Sequence, residues 1–206
     1  MNIYIKFRYL VEPILASLLL ILISPLFIGI SILITLNMGS PVIFAQCRTG
    51  LNNHPFNFYK FRTMTNKTDQ KGQLLPDMAR TTKLGHFLRQ TSLDELPQLI
   101  NIIKGDMSLI GPRPLIAEYI DYYTPSQKKR HTLKPGITGW AQVNGRNTLS
   151  WDEKFALDID YTNQVSFLFD CKVILKTFTT LFATQSINHS AKQTMPDLRT
   201  YQAQVK

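Results

Sequence analysis

The amino-acid sequence predicts a mostly α-helical fold of the α+β class that contains one small β-hairpin. Three observations indicate this class: a long apolar run near the N-terminus, two short segments rich in aromatic and β-branched residues, and stretches in which apolar residues recur at helical spacing. The chain has 206 residues, which is enough for one domain with a hydrophobic core and too few for two ordinary domains. We therefore expect a single domain.

The apolar run extends from Ile14 to Leu36 and contains no charged residue. Its length is about that needed to cross a bilayer core of ~30 Å. Ser24 and Pro25 interrupt the run near its middle, and Pro25 removes one backbone hydrogen bond and clashes with the preceding turn. The sequence therefore predicts a sharp bend at this pair.

Two topologies fit the apolar run: a helix pair that enters the membrane and leaves on the same side, or a kinked span. Cations lie on both sides of it, with Lys6 and Arg8 before the run and Arg48, Lys60 and Arg62 after it. Since cytoplasmic flanks usually carry the excess of Lys and Arg, these cations give no clear orientation for a crossing. Re-entry satisfies both flanks, but proline is tolerated in spanning helices, so both topologies stay open.

The segments after this run predict the β-hairpin. Residues 41–47 (PVIFAQC) and 56–61 (FNFYKF) have the composition of strands, and the intervening RTGLNNHP has the composition of a turn. Residues 66–77 are polar and contain Gly72 and Pro76, which predicts a mobile loop. A short helix is expected at LGHFLRQ.

A second short helix is predicted where apolar residues recur at helical spacing before Gly105; these residues are Leu96, Leu99, Ile100 and Ile103. Ser150 and Glu153 have the spacing of a capping box, so we expect a helix over residues 151–161. A last helix is expected to start after Asp170, and its apolar side fits a membrane interface or an ordinary core.

Charge and cysteine content narrow the classes of function. The 23 Lys and Arg against 14 Asp and Glu give a formal net charge of +9, which indicates an anionic partner such as nucleic acid, a phosphorylated substrate or anionic lipid. Cys47 and Cys171 match no metal-ligand spacing, and the 4 histidines lack the spacing of a helical metal site. Neither a disulfide framework nor a histidine-based metal site is expected.

The stretch TSLDELPQL places two adjacent carboxylates, Asp94 and Glu95, in this basic chain. Neighbours on a helix point about 100° apart, which fits poorly with the carboxylate pair that flanks a sugar bond in glycosidases. As a helix start, Ser92 as N-cap forms a capping box with Glu95 but puts Pro97 inside the helix, whereas Asp94 as N-cap puts Pro97 in the first turn. Either frame favours an ionised carboxylate, which fits a cap or a nucleophile that forms an acyl phosphate.

Basic residues in several motifs are candidate phosphate ligands. Arg113 lies between two prolines in IGPRP, a stiff backbone that would present a guanidinium suited to phosphate. Four further cations lie beside aromatic or turn residues, and each of them also fits a solvated surface role: Lys60, Arg62, Arg89 and Arg146.

The segment KPGITGWAQVNGRN predicts a shaped loop because it is rich in glycine. The spacing of Gly136 and Gly139 is that of the GXXG loop of KH nucleic-acid modules, but the flanking helices of that module are not evident. No Walker loop, GxGxxG or GxSxG motif is present. A membrane-tethered nucleic-acid binder is therefore a weaker alternative, and a catalytically silent membrane adaptor is a third.

Taken together, these motifs resemble the bacterial sugar transferases, also called monotopic polyprenyl-phosphate phosphoglycosyl transferases. The matching stretches are the Ser24-Pro25 pair, YKFRTM, TSLDELPQLINIIKGDMSLIGPRPL, PGITGWAQVNGRN and WDEKFALDIDY. The resemblance extends from about Lys6 to Met195. It is specific for the family but not for the sugar.

The resemblance implies transfer of a sugar phosphate from a UDP-sugar to a polyprenyl phosphate, such as undecaprenyl phosphate, with release of UMP. In similar enzymes the Asp of the Asp-Glu pair is the nucleophile, so Asp94 would carry a covalent phosphosugar and Glu95 would support it as an acid or base. The family uses Mg2+, for which Asp94 would be a ligand, with substrate phosphates and waters completing the shell. The cations implied as phosphate ligands are Arg113, Lys60, Arg89 and Arg146.

The resemblance also implies an arrangement at a membrane. Residues 1–40 would form a re-entrant membrane helix broken at Ser24-Pro25, residues 41–195 a compact catalytic domain with interfacial amphipathic helices, and residues 196–206 a polar tail that frays. We expect the chain at the bacterial inner membrane, with the catalytic domain and both termini cytoplasmic. The expected partners are the phospholipid bilayer and downstream glycosyltransferases of glycan synthesis, without nucleic acid.

Overall fold

The structure is a computed structural model that describes residues 2–145, 148–187 and 197–205. Two helices form its N-terminal part: α1 (Ile3–Leu22) and α2 (Ser24–Met38), which meet at Ile23 with a bend of 66°. Pro25 lies in the first turn of α2, where its missing N–H costs little. The predicted break at Ser24 and Pro25 is confirmed.

No single helix in the described part of the chain is long and apolar enough to cross a bilayer, and only the bent pair α1 and α2 together meets that criterion. Much of their apolar surface faces outward: Phe7, Leu10, Ile14, Leu18, Ile21, Leu22, Ile28, Leu33 and Leu36 are exposed. Exposed apolar patches of this extent are unusual on a protein that contacts only water.

A buried group of charged and hydroxyl side chains attaches α1 to the rest of the molecule, and we call it the anchor network: Arg8, Glu12, Ser108, Tyr161 and Asp170. Arg8 donates to the hydroxyl of Tyr161 at 2.7 Å, to Asp170 Oδ2 at 2.6 Å and to Ser108 Oγ at 2.9 Å. It also pairs with Glu12 one turn later, at 3.3 Å. Arg8 was counted among the flanking cations of the apolar run, but the structure buries it, so it orients α1 against the domain.

The predicted hairpin is confirmed. Strand β1 (Ile43–Thr49) pairs antiparallel with β2 (Pro55–Phe61), from Ile43 opposite Phe61 to Thr49 opposite Pro55. The connection is a short 3-10 turn, Leu51–Asn53, in which Asn52 and Asn53 adopt φ values of 51° and 66°. Asparagine tolerates this left-handed region better than most residues.

The segment after the hairpin contains the expected loop, followed by α3 (Asp77–Arg80) and α4 (Lys83–Gln90). Helix α4 corresponds to LGHFLRQ and is capped by the side chain of Thr82, which accepts a hydrogen bond from the backbone of Gly85. The mobility of the loop stays a prediction. A 3-10 turn, Leu93–Glu95, and the helix α5 (Gln98–Ile103) come next, and α5 packs against α1.

A second sheet, which the sequence did not predict, consists of two parallel strands, β3 (Ser108–Ile110) and β4 (Gly136–Thr138). Gly136 and Gly139 lie where this sheet crosses Gly111: an added Cβ at either position would lie 2.1 Å from a backbone atom of Gly111. These glycines allow two backbones to approach closely. Their spacing therefore has a packing explanation, and the weaker KH interpretation loses its basis.

The C-terminal half is helical. Between the strands β3 and β4 lie a 3-10 helix (Ala117–Tyr122), α6 (Pro125–Lys128) and a 3-10 turn (Lys129–Thr132), and after them α7 (Trp140–Val143) and α8 (Trp151–Gln164). Both hydrogen bonds of the predicted capping box between Ser150 and Glu153 are present at the start of α8.

The last helices differ from prediction at their boundaries. Helix α9 (Phe167–Ile187) starts before Asp170, because the Ser166 hydroxyl accepts a hydrogen bond from the backbone of Phe169. The expected fraying tail instead contains α10 (Leu198–Val205). Leu198 is buried in a core cluster of aromatic residues, which gives this polar segment one apolar attachment.

Candidate active site

A single open cleft of about 1280 Å³ brings the predicted site residues together. The alternating face of the hairpin forms one wall, through Phe44, Gln46, Arg48, Phe58 and Lys60. The rest of the lining includes the 3-10 turn with Asp94 and Glu95, the loop with Arg113, and parts of α1, α4, α5, β3, β4, α7, α8 and α9. Asp94, Glu95, Lys60, Arg89 and Arg113 all line this cleft.

The backbone presents Asp94 and Glu95 from the 3-10 turn instead of from a helix cap. Ser92 precedes the turn with φ 58° and makes no capping bond, while α5 begins only at Gln98, with Pro97 before it. Both predicted frames are therefore wrong. Leu96 donates to the backbone oxygen of Leu93 and Leu99 to that of Leu96, which are 3-10 bonds, so the short turn stays separate from α5.

Glu95 is the more strongly paired carboxylate. It accepts from Lys60 Nζ at 2.7 Å and from Arg113 Nη2 at 2.9 Å. Burial acts to raise its pKa, but the charges of Arg113 and Lys60 outweigh burial and lower the pKa of Glu95 to about 2. Glu95 is therefore an ionised group that fixes two cations.

Asp94 has weaker protein contacts. Lys60 Nζ lies 3.3 Å from its Oδ2 atom, and within the described part of the chain its Oδ1 atom accepts no hydrogen bond. Burial raises the pKa of Asp94, and Lys60 offsets that effect only partly. From a position at a helix N-terminus, the sequence predicted that the ionised form of this carboxylate would be favoured. The structure differs because α5 begins only at Gln98, after Pro97. Asp94 thus has an oxygen that is free to react or to bind a cation.

The predicted phosphate ligands differ in their partners and in their exposure. Arg113 extends from the loop between Pro112 and Pro114 and keeps 38% of its side chain exposed. Arg89 is held by the hydroxyl of Thr63 at 2.9 Å and acts electrostatically on Asp94. Arg146 lies outside the described residues. Arg62, weighed with these cations, donates instead to the backbone oxygens of Pro41 and Met38, so it secures the segment between α2 and β1.

The sequence did not nominate Arg48 as a site residue, yet it lines the cleft. Its guanidinium lies over the ring of Phe58, 4.1 Å from the centroid, and donates to the backbone oxygen of Pro114 at 2.7 Å and to Gln46 Oε1 at 3.0 Å. No carboxylate of the described chain lies within 4.0 Å of it. Burial and the nearby Arg113 lower the pKa of Arg48 to about 10. The strand register could have found it, because Gln46 and Arg48 alternate onto the same face as Phe58.

A buried ion pair supports the loop that carries Arg113. Arg130 donates to Asp158 at 2.6 Å and, through the same nitrogen, to the backbone oxygen of Arg113 at 2.8 Å. Both side chains of the pair are almost fully buried. This contact fixes the backbone from which Arg113 reaches the cleft.

No group of three or more Asp, Glu, His or Cys side chains in the described ranges could hold a metal ion alone. Mg2+ nevertheless binds through one or two carboxylates when substrate phosphates and waters supply the other ligands. The unpaired Oδ1 atom of Asp94, beside a cationic cleft wide enough for a diphosphate, fits that pattern. The residues present are therefore compatible with the implied Mg2+.

Comparison with known proteins identifies the family of this chain. The family model described as bacterial sugar transferase matches residues 3–184. The sugar transferase EpsL of Bacillus subtilis is 52% identical over 157 residues, covering 76% of this chain and 78% of EpsL. The galactosyl transferase CpsE of Streptococcus agalactiae is 45% identical over 153 residues, which cover 68% of this chain and 34% of CpsE.

A third relative is a UDP-glucose:undecaprenyl-phosphate glucose-1-phosphate transferase of Escherichia coli. It is 42% identical over 176 residues, which cover 81% of this chain and 38% of that protein. The chain thus spans most of EpsL but only about a third of the other two relatives. The match over residues 3–184 shows that this chain belongs to the bacterial sugar transferase family and is a transferase.

Proposed function

We propose that the chain transfers a sugar 1-phosphate from a UDP-sugar to undecaprenyl phosphate and releases UMP. Family membership supports the reaction class, and the E. coli relative is named for this reaction with glucose. One observation carries the assignment of residues: in the cationic cleft, Asp94 keeps an oxygen that accepts no hydrogen bond from the described residues, while the adjacent Glu95 is engaged by Lys60 and Arg113.

The first step is an attack by a carboxylate oxygen of Asp94 on the β-phosphorus of the UDP-sugar. A new P–O bond forms between Asp94 and the sugar phosphate. The bond from that phosphorus to the oxygen that bridges to the α-phosphate breaks, and UMP leaves with the electron pair. The product of this step is a mixed anhydride between Asp94 and the sugar phosphate.

In the second step a phosphate oxygen of undecaprenyl phosphate attacks the same phosphorus. The bond between phosphorus and the Asp94 oxygen breaks, which restores the carboxylate and gives undecaprenyl diphosphate sugar. Each step is a phosphoryl transfer, for which positioning and charge stabilisation provide most of the catalysis.

The surrounding cations suit this chemistry. Lys60 and Arg113 face the carboxylate pair, and Arg89 acts on Asp94 from α4. These groups would bind the phosphate oxygens, and Glu95 would hold Lys60 and Arg113 in place between turnovers. When bound at Asp94, Mg2+ would neutralise phosphate charge. We extend the phosphate-binding role to Arg146 from its motif alone.

The membrane arrangement is also proposed. The bent pair α1 and α2 would enter and leave the bilayer on the cytoplasmic side, and the exposed apolar side of α9 would lie in the interface. The active site would then meet a soluble UDP-sugar from the cytoplasm and a lipid phosphate from the inner membrane. Its product would pass to downstream glycosyltransferases.

A UMP-release assay tests the proposal. Purified protein in nanodiscs with Mg2+ and undecaprenyl phosphate should release UMP from at least one member of a panel of UDP-sugars, and removal of Mg2+ with EDTA should stop release. Because the relatives differ in the sugar they are named for, the panel also identifies the donor. Absence of UMP with every donor would refute the proposed reaction.

A further inference from the structure

The cleft has two ends of different chemistry. The cationic end comprises Arg48, Lys60, Asp94, Glu95 and Arg113. The apolar end comprises Leu19 of α1, Ile137 of β4, Ala141 of α7, and Ile174 and Phe178 of α9. An occupant that fills both ends must therefore carry a charged group and an apolar chain.

One hydrophobic cluster underlies both ends. The buried ring of Phe58 lies 4.1 Å from the guanidinium carbon of Arg48 and 5.7 Å from Lys60 Nζ, so it underlies the cationic end. Phe58 also belongs to the core cluster against which Leu109 and Ile137 pack. An apolar chain whose head lies beside Asp94 would meet Leu109 and Ile137, which line the cleft above this cluster.

The apolar end opens towards the outer surface of the molecule. Leu19 is 42% exposed, Ile174 is 42% exposed and Phe178 is 56% exposed. The hydroxyls of Thr138 and Thr177, 2.8 Å apart, attach α9 to β4 beside this opening. The opening joins the exposed apolar faces of α1 and α9, which is where an apolar chain could leave the cleft without meeting water.

We propose that the apolar end is the binding site for the first isoprene units of the polyprenyl phosphate, with the chain leaving past Leu19 on one side and Phe178 on the other. This inference rests on the proposed function, which supplies a lipid phosphate as acceptor. The cationic end complements the phosphate, and the apolar end complements the chain attached to it. The uracil ring of a UDP-sugar has an apolar face, but a UDP-sugar has no long apolar chain that would fill the apolar end as far as its exposed opening.

The proposal predicts different effects on the two half-reactions. Residues of the apolar end would contact the acceptor only, so they should affect the second step and not the first. The first step is measured as a burst of UMP from UDP-sugar without acceptor, and as the mass increase of the covalent phosphosugar. The second step is measured with geranyl, farnesyl and undecaprenyl phosphate, all under the same nanodisc conditions.

The test uses a matched pair of double variants on α9. Ile174→Ala with Phe178→Ala shortens two side chains that line the cleft. Leu168→Ala with Leu175→Ala shortens two exposed side chains of the same helix that do not line it. We expect the first pair to raise KM for undecaprenyl phosphate about tenfold and to reduce the preference for long over short acceptors. The control pair should change both quantities less than twofold.

Photocrosslinking provides an independent readout. A polyprenyl phosphate with a photoreactive group in its first isoprene units should label peptides that contain Leu19 or residues 174–178 in the wild-type protein. Labelling should be reduced by excess undecaprenyl phosphate, whereas excess phosphatidylglycerol should leave it unchanged. Competition by the phospholipid would show that the apolar end is a general lipid contact and would overturn the proposal.

The outcomes distinguish this inference from the proposed function. A normal UMP burst with equal effects of the two double variants on the acceptor KM would overturn the isoprenoid site and leave the reaction intact. Absence of UMP in the wild-type protein with all donors, even with undecaprenyl phosphate present, would instead refute the reaction. If the double variant unfolds, the single variant Phe178→Ala and the labelled peptides decide the question.

Discussion

The anchor network and the cationic end of the cleft both place carboxylates beside arginines, yet they differ in how completely the charges are paired. In the anchor network, Arg8 and Asp170 expose 7% and 4% of their side chains, and Arg8 reaches four protein oxygens at 2.9 Å or less. In the cleft, Arg113 is 38% exposed, and Asp94 keeps an oxygen that none of the described residues binds by a hydrogen bond. A closed set of partners fixes structure, whereas an incomplete set leaves capacity for a ligand.

The largest expected effect comes from removing the reactive oxygen. Asp94→Asn should lower UMP release at least about 10³-fold, because the amide cannot form the acyl phosphate. Its thermal unfolding should change little, since the ion pair that Asp94 makes within the described ranges is a long one, with Lys60 at 3.3 Å. Kinetics and calorimetry on the same preparation check both results, and retained turnover would remove Asp94 from the role of nucleophile.

The second effect concerns the anchor network and should lower the free energy of unfolding. Arg8→Met leaves Glu12 and Asp170 buried without their cation, a change that typically costs about 3–5 kcal/mol. Lys6→Met on the exposed side of α1 is the matched control and should be nearly neutral. Denaturant unfolding in detergent measures the difference. Equal stabilities of the two variants would show that the anchor network contributes nothing to holding α1.

A third effect is a change of stability with pH that depends on His131, next to the Arg130 that supports the Arg113 loop. His131 is buried beside Arg130, and its Nδ1 lies 2.7 Å from Asn53 Oδ1. Burial and the neighbouring cations lower the pKa of His131 to about 3, whereas an unfolded histidine titrates near 6.5. Between these values the unfolded chain binds a proton that the folded chain does not, so stability is lost as pH falls below about 6.5.

The measurement compares the wild-type protein with His131→Gln, because carboxylates that titrate in the same range contribute equally to both. The free energy of unfolding of the wild type relative to this variant should fall by about 2–3 kcal/mol between pH 7.5 and pH 4.5. A difference that is independent of pH would mean that the pKa of His131 is the same in the folded and the unfolded protein.

The smallest effect concerns Arg48, a cation of the cleft that forms no ion pair with the described residues. Arg48→Gln should raise KM for the UDP-sugar about five- to tenfold with a smaller change in kcat, because a phosphate would lose one charged hydrogen-bond donor. Cys47→Ser, on the exposed opposite side of β1, is the control and should change neither value. An unchanged KM would show that Arg48 does not bind the UDP-sugar and has a structural role only.

The features that sequence predicted correctly are those determined over a few residues. Pro25 sets the bend between α1 and α2, and the side chains of Ser150 and Glu153 bond each other's backbone at the start of α8. The Asp94 and Glu95 pair was found through its motif, although its backbone conformation was not. The two capping frames failed because Ser92 adopts φ 58° and makes no capping bond, and because α5 begins only at Gln98.

The features that sequence missed depend on contacts between distant residues. From the sequence, Arg8 was assigned to the cations that flank the apolar run, because its partner Asp170 lies 162 positions later. The parallel pairing of β3 with β4 joins Ser108 to Gly136 across a long connection of short helices. Arg48 acquires its place only when the hairpin folds against Arg113 and Pro114. No local pattern specifies these contacts.

The close approach of the Gly111 backbone to Gly136 and Gly139 limits which positions can be varied to change specificity for the UDP-sugar. Any side chain at the two later glycines would collide with the backbone of Gly111, so these positions are closed to substitution by evolution or by design. Phe44 and Gln46 border the same cleft from an antiparallel hairpin, where side chains can be exchanged without moving the backbone. Libraries intended to change the sugar should therefore vary the hairpin wall and leave the glycine crossing untouched.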